Sequence, residues 1–225
     1  MGTITRALAN NITTGGVVAS SGISNTSVSA VTSLPSGVDV GDLVLISEQT
    51  ASASSSISFT SGIDSTYNTY LFKLINVHPS ANDVTLGLNF STDGGSNYNV
   101  AKTTTYVRAY HDEADTFTGL SYDTNGDLAQ GTGDHQLGRG LTGYENDLNT
   151  NLELWLHNPS STTYVKHFMS NLSHSIVTGG NAPYHQHIFT AGYGNTTSAI
   201  NAVRFQMSSG NIDDGTFKLF GVKKS

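Results

Sequence analysis

The chain has 225 residues and a formal net charge of −7 with its eight His neutral, and Asp, Glu, Lys and Arg supply only 12% of it. Ser, Thr, Asn and Gly together approach half of the residues; they favour turns and strands, and the straight-chain helix formers are scarce, so an all-β chain is expected. There is no basic field to gather nucleic acid or anionic lipid, no cysteine for a disulfide or thiolate site, and no apolar run near the ~20 residues that span a bilayer as a helix.

Residues 1–40 carry scattered apolar positions and no sustained period, which predicts an extended N-terminal anchoring arm held by another chain. Arg6 is followed by Ala7-Leu8-Ala9 and then by polar residues, so no signal-peptide core is expected there. Pro35 fixes its own φ and extends Leu34, marking a joint before the main domain, 41–225. From Leu43 the apolar period becomes 2. Strands are expected near 43–47, 56–60, 69–78, 84–91, 103–110, 152–157, 164–171, 187–193, 200–208 and 215–222. Alternation is clearest where Leu152, Leu154 and Leu156 face Glu153 and His157, and where Val203, Phe205 and Met207 face Arg204, Gln206 and Ser208. Turns such as Asp93-Gly94-Gly95 and Ser209-Gly210-Asn211 separate the runs. The expected architecture is a two-sheet antiparallel β-sandwich of jelly-roll type, with 111–150, rich in Gly and Asp and without clear period, as a surface excursion. The related words at 70–80 and 152–160 fit either an internal duplication or shared turn chemistry.

Several groups of residues could carry chemistry. Asp123, Asn125 and Asp127, with Asp134 at position 12, place oxygens where a calcium loop has them; Leu128 at position 6 and the lack of flanking helices exclude an EF-hand, leaving a Ca2+ site of another kind or an Asx-rich turn. His185 and His187, two apart in a strand, point to one face and could share a transition metal with His174, His167 or symmetry copies; a solvated pair is the alternative. His111-Asp112-Glu113-Ala114-Asp115 gathers four ionisable groups, of the type used in general acid–base work or simply solvated at a strand end. No nucleophile elbow, phosphate loop or zinc-protease motif occurs, so no catalytic residue is named and the expected role is non-enzymatic. Of ten Tyr and one Trp, the loop residues Tyr122 and Tyr144 are the candidates for stacking on a glycan receptor.

Three stretches together resemble a family of virion structural proteins of tailed phages, especially marine and cyanobacterial ones. They are Ile57-Ser58-Phe59-Thr60-Ser61-Gly62-Ile63-Asp64-Ser65-Thr66-Tyr67, Ser91-Thr92-Asp93-Gly94-Gly95-Ser96-Asn97-Tyr98, and the closing run 209–221, which ends in Gly215-Thr216-Phe217-Lys218-Leu219-Phe220-Gly221. The resemblance implies a β-sandwich, often a jelly roll, serving as a capsid decoration, head fibre or receptor-binding tail-fibre tip. It implies a homo-oligomer, expected as a trimer, at the virion surface, made in the host cytoplasm and partnered by capsid or tail proteins. Some phage fibres hold a metal with a His-x-His pair on a trimer axis, and His185 and His187 match that spacing. Decoration is the leading expectation and a glycan-recognising fibre tip the alternative.

Overall fold

The computed structural model describes residues 42–143, 145–177 and 183–224. The arm expected over 1–40 and the candidate Tyr144 lie outside these residues. Twelve strands and no helix occur among the described residues: β1 (Leu43–Ser54), β2 (Ile57–Phe59), β3 (Thr69–Pro79), β4 (Val84–Ser91), β5 (Lys102–Asp112), β6 (Thr118–Tyr122), β7 (His135–Leu141), β8 (Thr150–His157), β9 (Lys166–Ile176), β10 (Tyr184–Gly194), β11 (Ala202–Met207) and β12 (Ile212–Val222). They pair antiparallel throughout, in an eight-stranded sheet ordered β1-β12-β3-β8-β9-β10-β5-β6 and a four-stranded sheet ordered β2-β11-β4-β7. The two sheets form the expected sandwich.

Period-2 patterning explains why the sheets close on each other. Leu152, Leu154 and Leu156 of β8 are buried, as are Val203, Phe205 and Met207 of β11, while the residues between them are half-buried. Phe72 and Phe217 from the broad sheet meet Phe59 and Phe205 from the narrow one. Ring centroids are 5.4 Å apart for Phe59–Phe72 and 5.7 Å for both Phe72–Phe205 and Phe205–Phe217. Tilted and edge-on aromatic contacts of this kind add to the large apolar area they remove from water. The turn between β11 and β12 needs a left-handed residue and has Gly210 at φ 69°. Asn76, at φ 54°, sits where the β3–β8 register shifts between Leu74 and Val77. The two related words are neighbours, β3 pairing with β8 from Thr69↔His157 to Leu74↔Leu152.

With β5, β6, β9 and β10 set aside, the remaining eight strands run β1-β12-β3-β8 in one sheet and β2-β11-β4-β7 in the other. The extra four arise from two insertions, between β4 and β7 and between β8 and β11, and together extend the broad sheet past β8. Their inward positions are partly polar. Ser170 and Thr190 hydroxyls lie 2.7 Å apart, His174 Nε2 is 3.3 Å from Gln186 Oε1, and Lys166 Nζ donates to the carbonyls of Tyr164 and Thr196.

The stretch 111–150 departs from its expectation as a surface excursion, because it holds β6 and β7. Leu137 and Leu141 of β7 are buried in the core, and Gly138 lies where a Cβ would come within 2.8 Å of Leu172. Glycine is what lets β7 approach β9 that closely, and it also erases the alternation from the sequence.

Candidate functional site

The outer face of the broad sheet collects residues whose parity opposes the core pattern. Registers across six strands align Leu45, Phe220, Leu71, Trp155, Met169 and Ala191 in one row. The adjacent row runs Glu48, Lys218, Lys73, Glu153, Asn171, Phe189, Val107 and Tyr122. Leu45, Met169, Phe189 and Tyr122 are exposed, at 51%, 42%, 40% and 51%. Leu71 is buried between Phe220 and Trp155 although it points outward. Lys73–Glu153 at 2.8 Å and Lys218–Glu48 at 3.0 Å pair all four charges of the second row. The face is therefore apolar, aromatic and locally neutral, with little field to attract a polyanion. A shallow groove of about 290 Å³ crosses its middle, lined among others by Lys73, Asn151, Glu153, Asn171, Ser173 and His187.

His185 and His187 share this face and both are exposed, in agreement with their spacing. His185 lies directly opposite His111 on β5, and His187 opposite Ala109 and Ser173. His174 faces the other way. It is buried beside Gln186, and burial brings its pKa down to about 4, so it does not join the pair as a ligand. His167 lies across from Tyr193, far along β9. Among the described residues no three His, Asp, Glu or Cys side chains converge as a metal site would require.

The calcium arrangement is likewise not assembled. Asp123 is buried and paired with Arg139 at 3.2 Å and Arg108 at 3.4 Å. The Asn125 backbone N–H, helped by its side-chain amide and both arginines, holds the Asp123 carboxyl below its ordinary pKa. Asp127 accepts from the Tyr122 hydroxyl at 2.6 Å, which raises the pKa of that phenol. Asp134 belongs to a different neighbourhood, with Asn89 and Arg204. Asp123 and Asp134, whose spacing suits a metal loop, pair here with three arginines. In the acidic run that starts at the end of β5, Asp112 accepts from Thr116 and Phe117 and closes the turn into β6, and His111 Nε2 lies 3.2 Å from Asp115.

Around Asp134 the insertion between β4 and β7 builds a second polar cluster. Lys102, the first residue of β5, is fully buried, and its Nζ donates to Asn89 Oδ1 at 2.6 Å and to the Val100 carbonyl at 2.8 Å. Burial draws its pKa down to about 8, against the opposing pull of Asp134. Asn89, on β4 and almost fully buried, donates from Nδ2 to Asp134 Oδ1 at 2.9 Å and to the Thr132 carbonyl at 3.1 Å. The Phe90 N–H donates to Asn89 Oδ1 at 2.9 Å. Arg204 pairs with Asp134 at 3.1 Å, its guanidinium 4.6 Å from the Tyr98 ring centroid. His135 is buried nearby with both ring nitrogens lacking a partner among the described residues, and burial, helped by the charge of Lys102, brings its pKa down to about 3.

Neither constellation was visible in the sequence. Trp155 between Leu154 and Leu156, and Phe220 between Leu219 and Gly221, are the local signals of an outward apolar row: large apolar residues at the wrong parity of a well-patterned strand. Comparison with protein-family models, with curated proteins and with solved structures found no match.

Proposed function

We propose that the chain is a non-enzymatic structural protein of a tailed-phage virion, an exposed capsid decoration or head-fibre component that assembles as a homotrimer. The observation that carries this reading is the outer face of the broad sheet. An apolar row beside fully paired charges suits a flat protein surface better than a nucleic acid, a membrane or a reacting substrate. Support also comes from topology. The eight strands β1-β12-β3-β8 and β2-β11-β4-β7 have the order that two Greek keys folded together would produce, in keeping with the jelly roll typical of such proteins. In this reading residues 1–40 anchor the chain in the particle, and the outer face seats against a protein surface there.

The second reading, a glycan-recognising tail-fibre tip, draws on the groove. Asn151, Asn171, Ser173 and His187 offer hydrogen bonds to hydroxyls, and Phe189 and Tyr122, in the row that Asn171 shares, offer ring faces for stacking. Counting this chain in purified particles by quantitative mass spectrometry separates the two. A number that scales with the major capsid protein supports decoration, and a number matching the tail supports the tip. Absence from particles overturns both. Deleting residues 2–35 is expected to abolish incorporation; loading of the truncated chain at the full-length level would overturn the anchoring role.

A further inference from the structure

We propose that Lys102 and Asn89 join in an intramolecular isopeptide bond that the protein forms by itself. The parts of an acyl transfer are assembled around the Asn89 carboxamide. Lys102 Nζ is the nucleophile, held 2.6 Å from Oδ1 of the amide it would attack. The Phe90 N–H, 2.9 Å from the same oxygen, is a fixed donor for the negative charge that develops there. Asp134 Oδ1, 2.9 Å from Nδ2, contacts the leaving nitrogen, and the Thr132 carbonyl fixes the orientation of that amide. Lys102 and Asn89 are both sequestered from water, which favours intramolecular attack over hydrolysis and holds the groups in place. The lowered pKa of Lys102 gives it a fraction of free amine near neutral pH, as an amine nucleophile requires.

The step balances without any outside reagent. The Lys102 ammonium first loses one proton to solvent, as its lowered pKa allows. Its Nζ lone pair forms a bond to Asn89 Cγ, and the carbonyl π pair moves onto Oδ1. When the C=O re-forms, the Cγ–Nδ2 bond breaks with its electron pair on nitrogen. Nζ, now bonded to Cγ, passes its second proton to the Asp134 carboxylate beside Nδ2, Asp134 hands it to Nδ2, and the departing ammonia takes up the proton first lost, so a lysine ammonium and a carboxamide become a secondary amide and an ammonium ion. Arg204 holds Asp134 at the partly exposed edge of the cluster, where the ammonium can leave. The bond would tie β4 of the narrow sheet to β5 of the broad one, locking the root of the first insertion.

Mass spectrometry of the full-length, denatured chain tests this directly. The expected mass is lower than the sequence mass by one ammonia. The sequence has no Lys or Arg between Lys73 and Lys102, and the next basic residue is Arg108. Trypsin cannot cleave after an acylated lysine, so a single peptide covering 74–108, lighter by one ammonia, replaces the separate peptides 74–102 and 103–108. Fragment ions should link Asn89 to Lys102. Recovery of the two separate peptides at full mass after prolonged incubation would overturn the proposal, as would an ammonia loss confined to a succinimide at Asn125-Gly126. Lys102→Met and Asp134→Asn are each expected to retain full mass with the far-UV circular dichroism of a folded β protein. A folded Asp134→Asn chain that cross-links as fast as the parent would overturn the role given to the carboxylate.

Discussion

The two halves of the broad sheet fill their inner faces by different means. Under β1, β12, β3 and β8 the filling is almost wholly apolar: Phe72, Leu74, Leu152, Leu154, Phe217 and Leu219 meet the aromatic residues of the narrow sheet. Under β9, β10 and β5 it includes Ser170, Thr190, His174, Gln186, Lys102 and Lys166, all buried. The first half owes its stability to area removed from water and to close packing. The second depends on each polar group keeping its partner, since a buried donor or acceptor left alone is costly. The strands β5, β9 and β10 thus carry most of the buried polar groups on which pH and chemistry can act.

Substitutions in the apolar half should have the largest effect. Phe72→Ala removes a fully buried ring touching Phe59 and Phe205, and a loss of about 3–5 kcal/mol is expected in urea unfolding. A loss below 1 kcal/mol, well short of the ~3 expected of a packed aromatic ring, would show that this half is not close-packed.

The next effect is on pH. His174 and His135 are neutral in the folded chain, with pKa values of about 4 and about 3, and regain their ordinary value near 6.5 on unfolding. The unfolded chain therefore binds more protons below that value, and stability falls as pH drops. Each histidine contributes a slope of up to about 1.4 kcal/mol per pH unit between about 6.5 and its folded pKa. Thermal melts from pH 7.5 to 4.5 check this, and His174→Leu should flatten the slope; an identical slope would sever His174 from the acid sensitivity.

Thr190→Val leaves the buried Ser170 hydroxyl without its partner and should cost about 1–3 kcal/mol, whereas Ser170→Ala together with Thr190→Val should recover most of it. Equal losses in the single and double variants would mean that packing, not the hydrogen bond, matters there. The smallest effect belongs to the outer face. Lys73→Met breaks the Lys73–Glu153 pair between half-exposed side chains and is expected to cost less than about 1 kcal/mol.

How far the sequence could be read follows alternation rather than that division, since strands were expected at β5, β9 and β10 of the polar half as well. Strands announce themselves through alternation, as β8, β11 and β12 do, because one face is dry and the other wet. β6 and β7 give no such signal: Leu120 and Tyr122 point outward from β6, and β7 owes its fit to Gly138 where a patterned strand would have a side chain. His185 and His187 were legible as one face because strand period is local. The separation of Asp123 from Asp134 was not, since their arginine partners Arg108, Arg139 and Arg204 come from β5, β7 and β11. Lys102 and Asn89 lie 13 positions apart, on either side of the Asp93-Gly94-Gly95 turn, and only the fold brings them together.

Hydroxyl-radical footprinting of purified particles against the free chain tests the role of the outer face most directly. The account predicts that Trp155, Met169 and Phe189 oxidise more slowly in the particle, while Tyr164, exposed in a loop before β9, oxidises at the free-chain rate. Oxidation of the three at their free-chain rates, in particles that contain the chain, would contradict the seating of this face against a protein surface.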